Sequence, residues 1–271
     1  MSDYQVDDTF GDDFQPSYLQ VGENFQQLPI IPAVNFPSNG YLTSGNYVKV
    51  ADLTGKELRH VCRASMDQDD LPYREVVYFD KTKIVGCDGN RIHVVDKTTP
   101  ISLRVMTYVI KKLCNEKNIE LWNDGGNIKL SANGLTVFTE DQSIWFPDVD
   151  QNINSQFNCC VTLDSPTLEK IMNQALIMTG KSYRAVDMTF ENSNLSVSIN
   201  STRGKFIKED VRFAYKNAIV PETFKVDAAL IRDALRARAG ILNEVEIHFG
   251  GNPKYLKLIQ GGFTSLILTM K

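Results

Sequence analysis

The stretch Ile119-Glu120-Leu121 … Gly126 … Ile128-Lys129-Leu130 has a counterpart far along the chain in Val245-Glu246-Ile247 … Gly251 … Leu256-Lys257-Leu258. Both alternate apolar and polar residues across a glycine break, the period of paired strands with one buried face. A repeat of this kind decides the fold, because overlooking it would misassign every element around it. Working outward from these two copies, one order of elements recurs four times from Gly45 onward. A strand leads into a capped helix, and three strands separated by turn residues follow.

In the first unit, Tyr47–Ala51 leads to a helix opened by Thr54 and Glu57, the T-x-x-E spacing of a capping box. Strands are predicted at Val76–Asp80, Lys83–Cys87 and Arg91–Asp96. The second unit reads as a helix over Ser102–Cys114, then strands Ile119–Asn123, Ile128–Ser131 and Leu135–Thr139. Asp124-Gly125 and Asn133-Gly134 separate them as hairpin turns. The third reads Cys160–Leu163, a helix with Ser165 as N-cap and Pro166 at its first position, then Val186–Glu191, Leu195–Asn200 and Lys205–Tyr215. The fourth reads Phe224–Val226, a helix capped by Asp227, then Val245–Phe249, Tyr255–Ile259 and Ser265–Met270. Four βαβββ units predict an α+β protein of two domains, residues 45–156 and 157–271. The break falls in the Asp- and Asn-rich stretch Asp150–Asn158.

Composition agrees with a globular chain, 42% hydrophobic and 23% charged over 271 residues. No apolar run reaches the ~18 residues of a membrane span, and the N-terminus is acidic where a secretory signal would be basic then apolar. The five cysteines, Cys62, Cys87, Cys114, Cys159 and Cys160, are odd in number and lack C-x-x-C spacing. They predict reduced thiols in a cytoplasmic protein. Residues 1–49 carry Asp3, Asp7, Asp8, Asp12, Asp13 and Glu23 against Lys49, which more than accounts for the net charge of −4. Residues 1–44, rich in Gln, Asn, Pro and Gly, are therefore predicted as an acidic extended or disordered arm.

The predicted helices pair an apolar face with a basic one. The apolar faces are Leu58, Val61, Cys62 and Ser65; Met106, Val109, Ile110 and Leu113; Leu168, Ile171, Met172 and Ala175; and Leu230, Ile231, Ala234 and Leu235. The opposite faces carry Lys56, Arg59 and Arg63; Arg104, Lys111 and Lys112; Lys170, with Lys181 and Arg184 just beyond; and Arg232, Arg236 and Arg238. One basic side on a near-neutral body points to phosphates. No base-reading module accompanies it, so any duplex DNA would be held by its backbone, independently of sequence.

Catalytic motifs fail on inspection. Gly180-Lys181-Ser182 lacks the glycine of a phosphate loop, which would stand at Ala175, and Thr54-Gly55-Lys56 fails in the same way. His60, His93 and His248 lie on different elements without ligand spacing, Cys159-Cys160 is too close to chelate as a pair, and Asp67-Gln68-Asp69-Asp70 lacks the glycine and glutamate of a calcium loop. No enzyme, metal or cofactor is expected.

From about Tyr47 to Lys271 the chain resembles the second and third domains of the bacterial beta sliding clamp, the replicative polymerase processivity factor. Cys87-Asp88-Gly89-Asn90-Arg91-Ile92 is similar to that family's T-D-G-H-R-L turn, and Trp145-Phe146-Pro147-Asp148 to its F-P-D segment. Lys181-Ser182-Tyr183-Arg184-Ala185-Val186 resembles its K-x-R-G-V stretch, Phe224-Lys225-Val226 with Leu230 and Ala234-Leu235 its last helix, and Leu268-Thr269-Met270-Lys271 its terminal M-P-M-R. The resemblance implies a clamp fold and a sequence-independent DNA-binding ring with the basic helices inside. With the family's first domain missing, six domains require a homotrimer, the layout of eukaryotic, archaeal and some phage clamps. It also implies a pocket for linear peptides of a polymerase and clamp loader, formed by Cys87, Gly89, Asn90, Arg91, Ile92, Pro147, Leu266, Leu268, Thr269, Met270 and Lys271. Arg74, where the family has an aliphatic wall, and Asn90, where it has histidine, imply a different peptide preference. The alternative is a clamp-like decoy or regulator that binds clamp partners without encircling DNA, with Asp7, Asp8, Asp12 and Asp13 occupying the basic channel as a phosphate mimic. An isolated two-domain replication factor in an Asn-rich chain suggests a bacteriophage or mobile element, acting at the nucleoid in the cytoplasm of a bacterial or phage-infected cell.

Overall fold

The computed structural model describes residues 18–21, 24–27, 45–179, 184–201, 204–215, 221–236, 243–251 and 255–270. Lys181, Arg238 and Lys271 lie outside them. So does the acidic arm, except for β1 (Tyr18–Val21) and β2 (Asn24–Gln27), which pair as an antiparallel hairpin.

Residues Val48–Lys271 form one unit, and in it the strand–helix–three-strand order runs four times. The first unit is β3 (Val48–Leu53), α1 (Gly55–Cys62), β4 (Val76–Phe79), β5 (Lys83–Cys87) and β6 (Arg91–Asp96). The second is β7 (Leu103–Met106), α2 (Thr107–Lys111), β8 (Ile119–Asp124), β9 (Asn127–Ala132) and β10 (Leu135–Glu140). A short helix α3 (Asp150–Ile153) precedes the third unit, which comprises β11 (Cys159–Asp164), α4 (Ser165–Met178), β12 (Ala185–Glu191), β13 (Asn194–Ser201) and β14 (Gly204–Arg212), with a short β15 (Ala214–Tyr215). The fourth is β16 (Glu222–Asp227), α5 (Ala228–Arg236), β17 (Glu244–Phe249), β18 (Tyr255–Gln260) and β19 (Phe263–Leu268).

Each leading strand is exchanged. β3 pairs with β8 of the second unit and β7 with β4 of the first, while β11 pairs with β17 and β16 with β12. Antiparallel pairing of β6 with β19 then joins the two halves into a nine-stranded sheet, ordered β15-β11-β17-β18-β19-β6-β5-β4-β7. Two four-stranded sheets, β10-β9-β8-β3 and β14-β13-β12-β16, complete the architecture.

Local chemistry sets the element ends. The Thr54 hydroxyl accepts the Glu57 amide while the Glu57 carboxylate accepts the Thr54 amide, the reciprocal capping box read from the sequence. Asn133 (φ 44°) and Gly134 (φ 82°) are both left-handed, as the two-residue turn between β9 and β10 requires. Two expectations need correction. The cap of α4 is Asp164, whose carboxylate accepts the Thr167 amide at 2.8 Å, since the Ser165 hydroxyl accepts from Gln260 instead. The helix expected from Ser102 begins only at Thr107. Leu103 and Val105 are buried while Arg104 and Met106 are half-exposed, an alternation that the pairing of β7 with β4 uses as strand.

Two large cores fill the space between helices and sheets. One packs α1 and α2 (Leu58, Val61, Val109, Ile110) against Phe79, Ile84, Leu121 and Leu130. The other packs α4 and α5 (Leu168, Ile171, Ile231, Leu235) against Val161, Ile247, Leu256 and a cluster of rings in which Phe190 stacks on Phe249 at 4.5 Å. A third, smaller cluster (Val85, Cys87, Ile92, Val94, Val149 and Leu266) lies on the sheet face turned away from the helices.

Candidate functional site

The third cluster floors a cavity of about 150 Å³ at the β6–β19 joint, lined by Tyr73, Cys87, Gly89, Asn90, Arg91, Ile92, Pro147, Asp148, Val149, Asn152 and Tyr255. The turn between β5 and β6 shapes one wall. The Asp88 carboxylate accepts the amides of Asn90 and Arg91, both at 3.0 Å, and Gly89 sits at φ 87°. A side chain at Gly89 would also stand 2.6 Å from the Arg74 guanidinium, which lies against this turn and bonds to Tyr73 and Asp69. The positive φ is what requires glycine here, since the Arg74 guanidinium is the end of a flexible side chain and can give way. Burial pushes the Cys87 thiol pKa up, so Cys87 is a neutral apolar wall and not a thiolate.

Six of the sequence-predicted pocket residues, Cys87, Gly89, Asn90, Arg91, Ile92 and Pro147, come together in this lining. Leu266 is fully buried beneath it, and the Leu268 amide donates to the Asn90 carbonyl at 2.9 Å. Thr269 and Met270 lie outside the lining, and the Met270 amide donates to the Lys225 carbonyl. Arg91 is not a free cation of the cavity, because its guanidinium bridges Asp88 (2.9 Å) and Asp233 of α5 (3.3 Å). Tyr255, Val149 and Asn152 were not identified from the sequence. The available signal was Tyr255, an aromatic on the outward-facing positions of a strand whose other face is buried.

Pro147, Asp148 and Val149 also border a second cavity of about 350 Å³ whose lining includes Tyr78, Lys83, Arg104, Trp145, Phe146 and Asp150. Trp145 is 72% exposed and meets Tyr73 edge-on at 6.1 Å. The Trp145–Asp148 segment is therefore a ridge between two neighbouring hollows. Arg104 belongs here and not on a helix face. Strand β7 places it over the Tyr78 ring at 5.2 Å and within 3.8 Å of Asp141.

On the opposite side the helices form a continuous row. α2 packs on α1, the Arg63 guanidinium at the end of α1 donates to the Asp233 carbonyl of α5 at 2.7 Å, and α5 packs on α4. Lys56, Lys112 and Lys170 are exposed on this row and make no ion pair among the described residues. Lys111 pairs with Asp67, Arg184 with Asp227, Arg232 with Asp233 and Arg236 with Glu169. Arg59 donates to the Cys114 carbonyl and to Asn115. Burial lowers the pKa of Arg63, the Asp233 charge partly offsets this, and the charges of Arg59, Arg236 and Arg91 lower it further where the two halves meet.

No protein-family model matches the chain, and no curated protein matches it significantly. Its structure does match solved ones. The beta sliding clamp of C. crescentus superposes with a TM-score of 0.74 at 16% identity, covering 94% of this chain and 73% of that one. The DNA polymerase III subunit beta of Pseudomonas aeruginosa gives 0.72 at 16% identity, covering 97% and 76%. The chain therefore has the fold of the beta sliding clamps. No helix among the described residues is long and apolar enough to cross a membrane.

Proposed function

We propose that this chain is a non-enzymatic DNA sliding clamp, a homotrimer whose six domains (residues 45–156 and 157–271 of each copy) close into a ring around duplex DNA. In this reading the joint cavity takes linear peptides of a polymerase and a clamp loader, in the cytoplasm of a bacterial or phage-infected cell. The β6–β19 pairing carries the proposal. These are the last strands of the first and fourth units. The corresponding strands of the second and third, β10 and β14, each end a sheet among the described residues. Pairing β10 of one copy with β14 of the next would repeat the joint already made within the chain, and head-to-tail contacts of this type generate a closed ring when the rotation between copies closes.

The helix row supports the DNA-facing role of Lys56, Arg59, Arg63, Lys112 and Lys170. Phosphate contacts of this kind hold the duplex without reading it and weaken steeply with salt. The pairing of Lys111, Arg232 and Arg236 with acids favours the second reading, a decoy that binds clamp partners without encircling DNA. One experiment separates the two. Light scattering should give three times the chain mass of 30.5 kDa, and protein loaded on nicked circular DNA should be released when the circle is cut. A monomer at high concentration, or retention indifferent to cutting, overturns the clamp reading.

A further inference from the structure

On the sheet face turned away from the helices, β11 and β17 place Cys160 directly opposite His248, with Glu246 two residues along on the same face. Their neighbours Cys159, Val161, Val245, Ile247 and Phe249 all point into the core, which fixes the orientation of the trio by the two-residue period of the strands. The Cys160 sulfur lies 3.6 Å from His248 Nε2, which lies 3.3 Å from Glu246 Oε2, and the three ligand atoms are all within 4.8 Å of one another. Zinc bonds of ~2.3 Å to sulfur, ~2.0–2.1 Å to imidazole and ~2.0–2.2 Å to carboxylate, at tetrahedral angles, require S···N of about 3.6 Å and N···O of about 3.3 Å. Two edges of such a tetrahedron are already in place. The Phe157 ring meets the His248 ring edge-on at 6.4 Å and limits its movement.

We propose that Cys160, Glu246 and His248 form a binding site for a zinc-class divalent ion, with a fourth coordination position left for water. Thiolate, imidazole and carboxylate together suit zinc and exclude magnesium and calcium, which take oxygen ligands. Binding removes the thiol proton from Cys160, so affinity rises with pH. The site shares its sheet face with the joint cavity, since the cross-strand row runs Cys160, His248, Lys257, Leu266, Ile92, Cys87. It does not depend on the clamp reading.

Titration of the metal-free full chain with Co²⁺ tests the site. One equivalent should produce a thiolate-to-cobalt charge-transfer band together with the intense visible bands of tetrahedral Co²⁺, and Zn²⁺ should displace both. Cys160→Ser should abolish the charge-transfer band. Glu246→Gln, which preserves shape, should keep the metal-free melting temperature and weaken affinity at least ~10-fold. Absence of the band from the native chain, or the same band and affinity in Glu246→Gln, would overturn the proposal.

Discussion

Strands β6 and β19 and strands β10 and β14 hold equivalent places in their units, yet only the first two meet. The difference shows in burial. On β6 and β19, Ile92, Val94, Val95, Leu266 and Ile267 are buried on both faces of the sheet. On β10, Leu135 is 41% exposed and no residue is buried, and Ile207 on β14 is 45% exposed. A last strand that has found its partner closes with apolar side chains above and below, whereas one at a sheet edge leaves its backbone and some apolar side chains open to pairing. The joint is thus a template for what the free edges lack.

The largest test of this contrast is at the joint itself. Leu266→Ala removes a fully buried side chain shared by both halves and should destabilise the protein by about 2–5 kcal/mol in urea denaturation. Gly89→Ala puts a side chain on a left-handed position and displaces the Arg74 guanidinium, and should cost about 1–2 kcal/mol together with the proposed peptide binding in the cavity. Acid should loosen the joint as well. His93 pairs across it with Ser265 and stacks on His60 at 4.5 Å. Burial first, then the charges of His60 and Arg91, hold its pKa well below 6.5. The folded chain refuses a proton that the unfolded chain accepts near pH 6.5, so this contribution is complete above that pH and declines as pH falls below it. The slope is at most about 1.4 kcal/mol per pH unit for one proton. Denaturation midpoints at pH 7.5 and 5 should differ in that sense, and less so in His93→Gln. At the other pole, Leu135→Lys on the free edge should change monomer stability by no more than about 0.5 kcal/mol. The same substitution should shift the light-scattering mass of the proposed trimer toward monomer, and an unchanged mass would mean that β10 is not the contact.

The strand and helix periods in the sequence are enough to show four units, their turns and the apolar helix faces, because burial on one face is a local pattern. They could not show which strands would be neighbours. His60 and His93 read as unrelated histidines until the pairing of β6 stacked them. Cys160 and His248, 88 residues apart, stand opposite one another only because β11 is exchanged into the sheet of the fourth unit. Arg104 was misplaced because Met106, Val109, Ile110 and Leu113 form a helical face that reads smoothly back into a strand only four residues long. Around the cavity, the resemblance located the Cys87–Ile92 turn and Pro147. Tyr255 and Asn152 were missed because they arrive from elements that carried no motif.

The exchange of leading strands also fixes an order of events during synthesis. β3 cannot be sheathed until β8, ending at Asp124, has left the ribosome, and β11 waits for β17, ending at Phe249. β6 stays an edge longest of all, since its partner β19 closes the described chain. The exchanged strands therefore gain their sheet hydrogen bonds late, after the local hairpins, which slows folding and leaves apolar edges open meanwhile. A nascent chain truncated after β10 carries the bare β6 edge, with Ile92 and Val94 uncovered, as a ready seed for sticking to its neighbours on the same message.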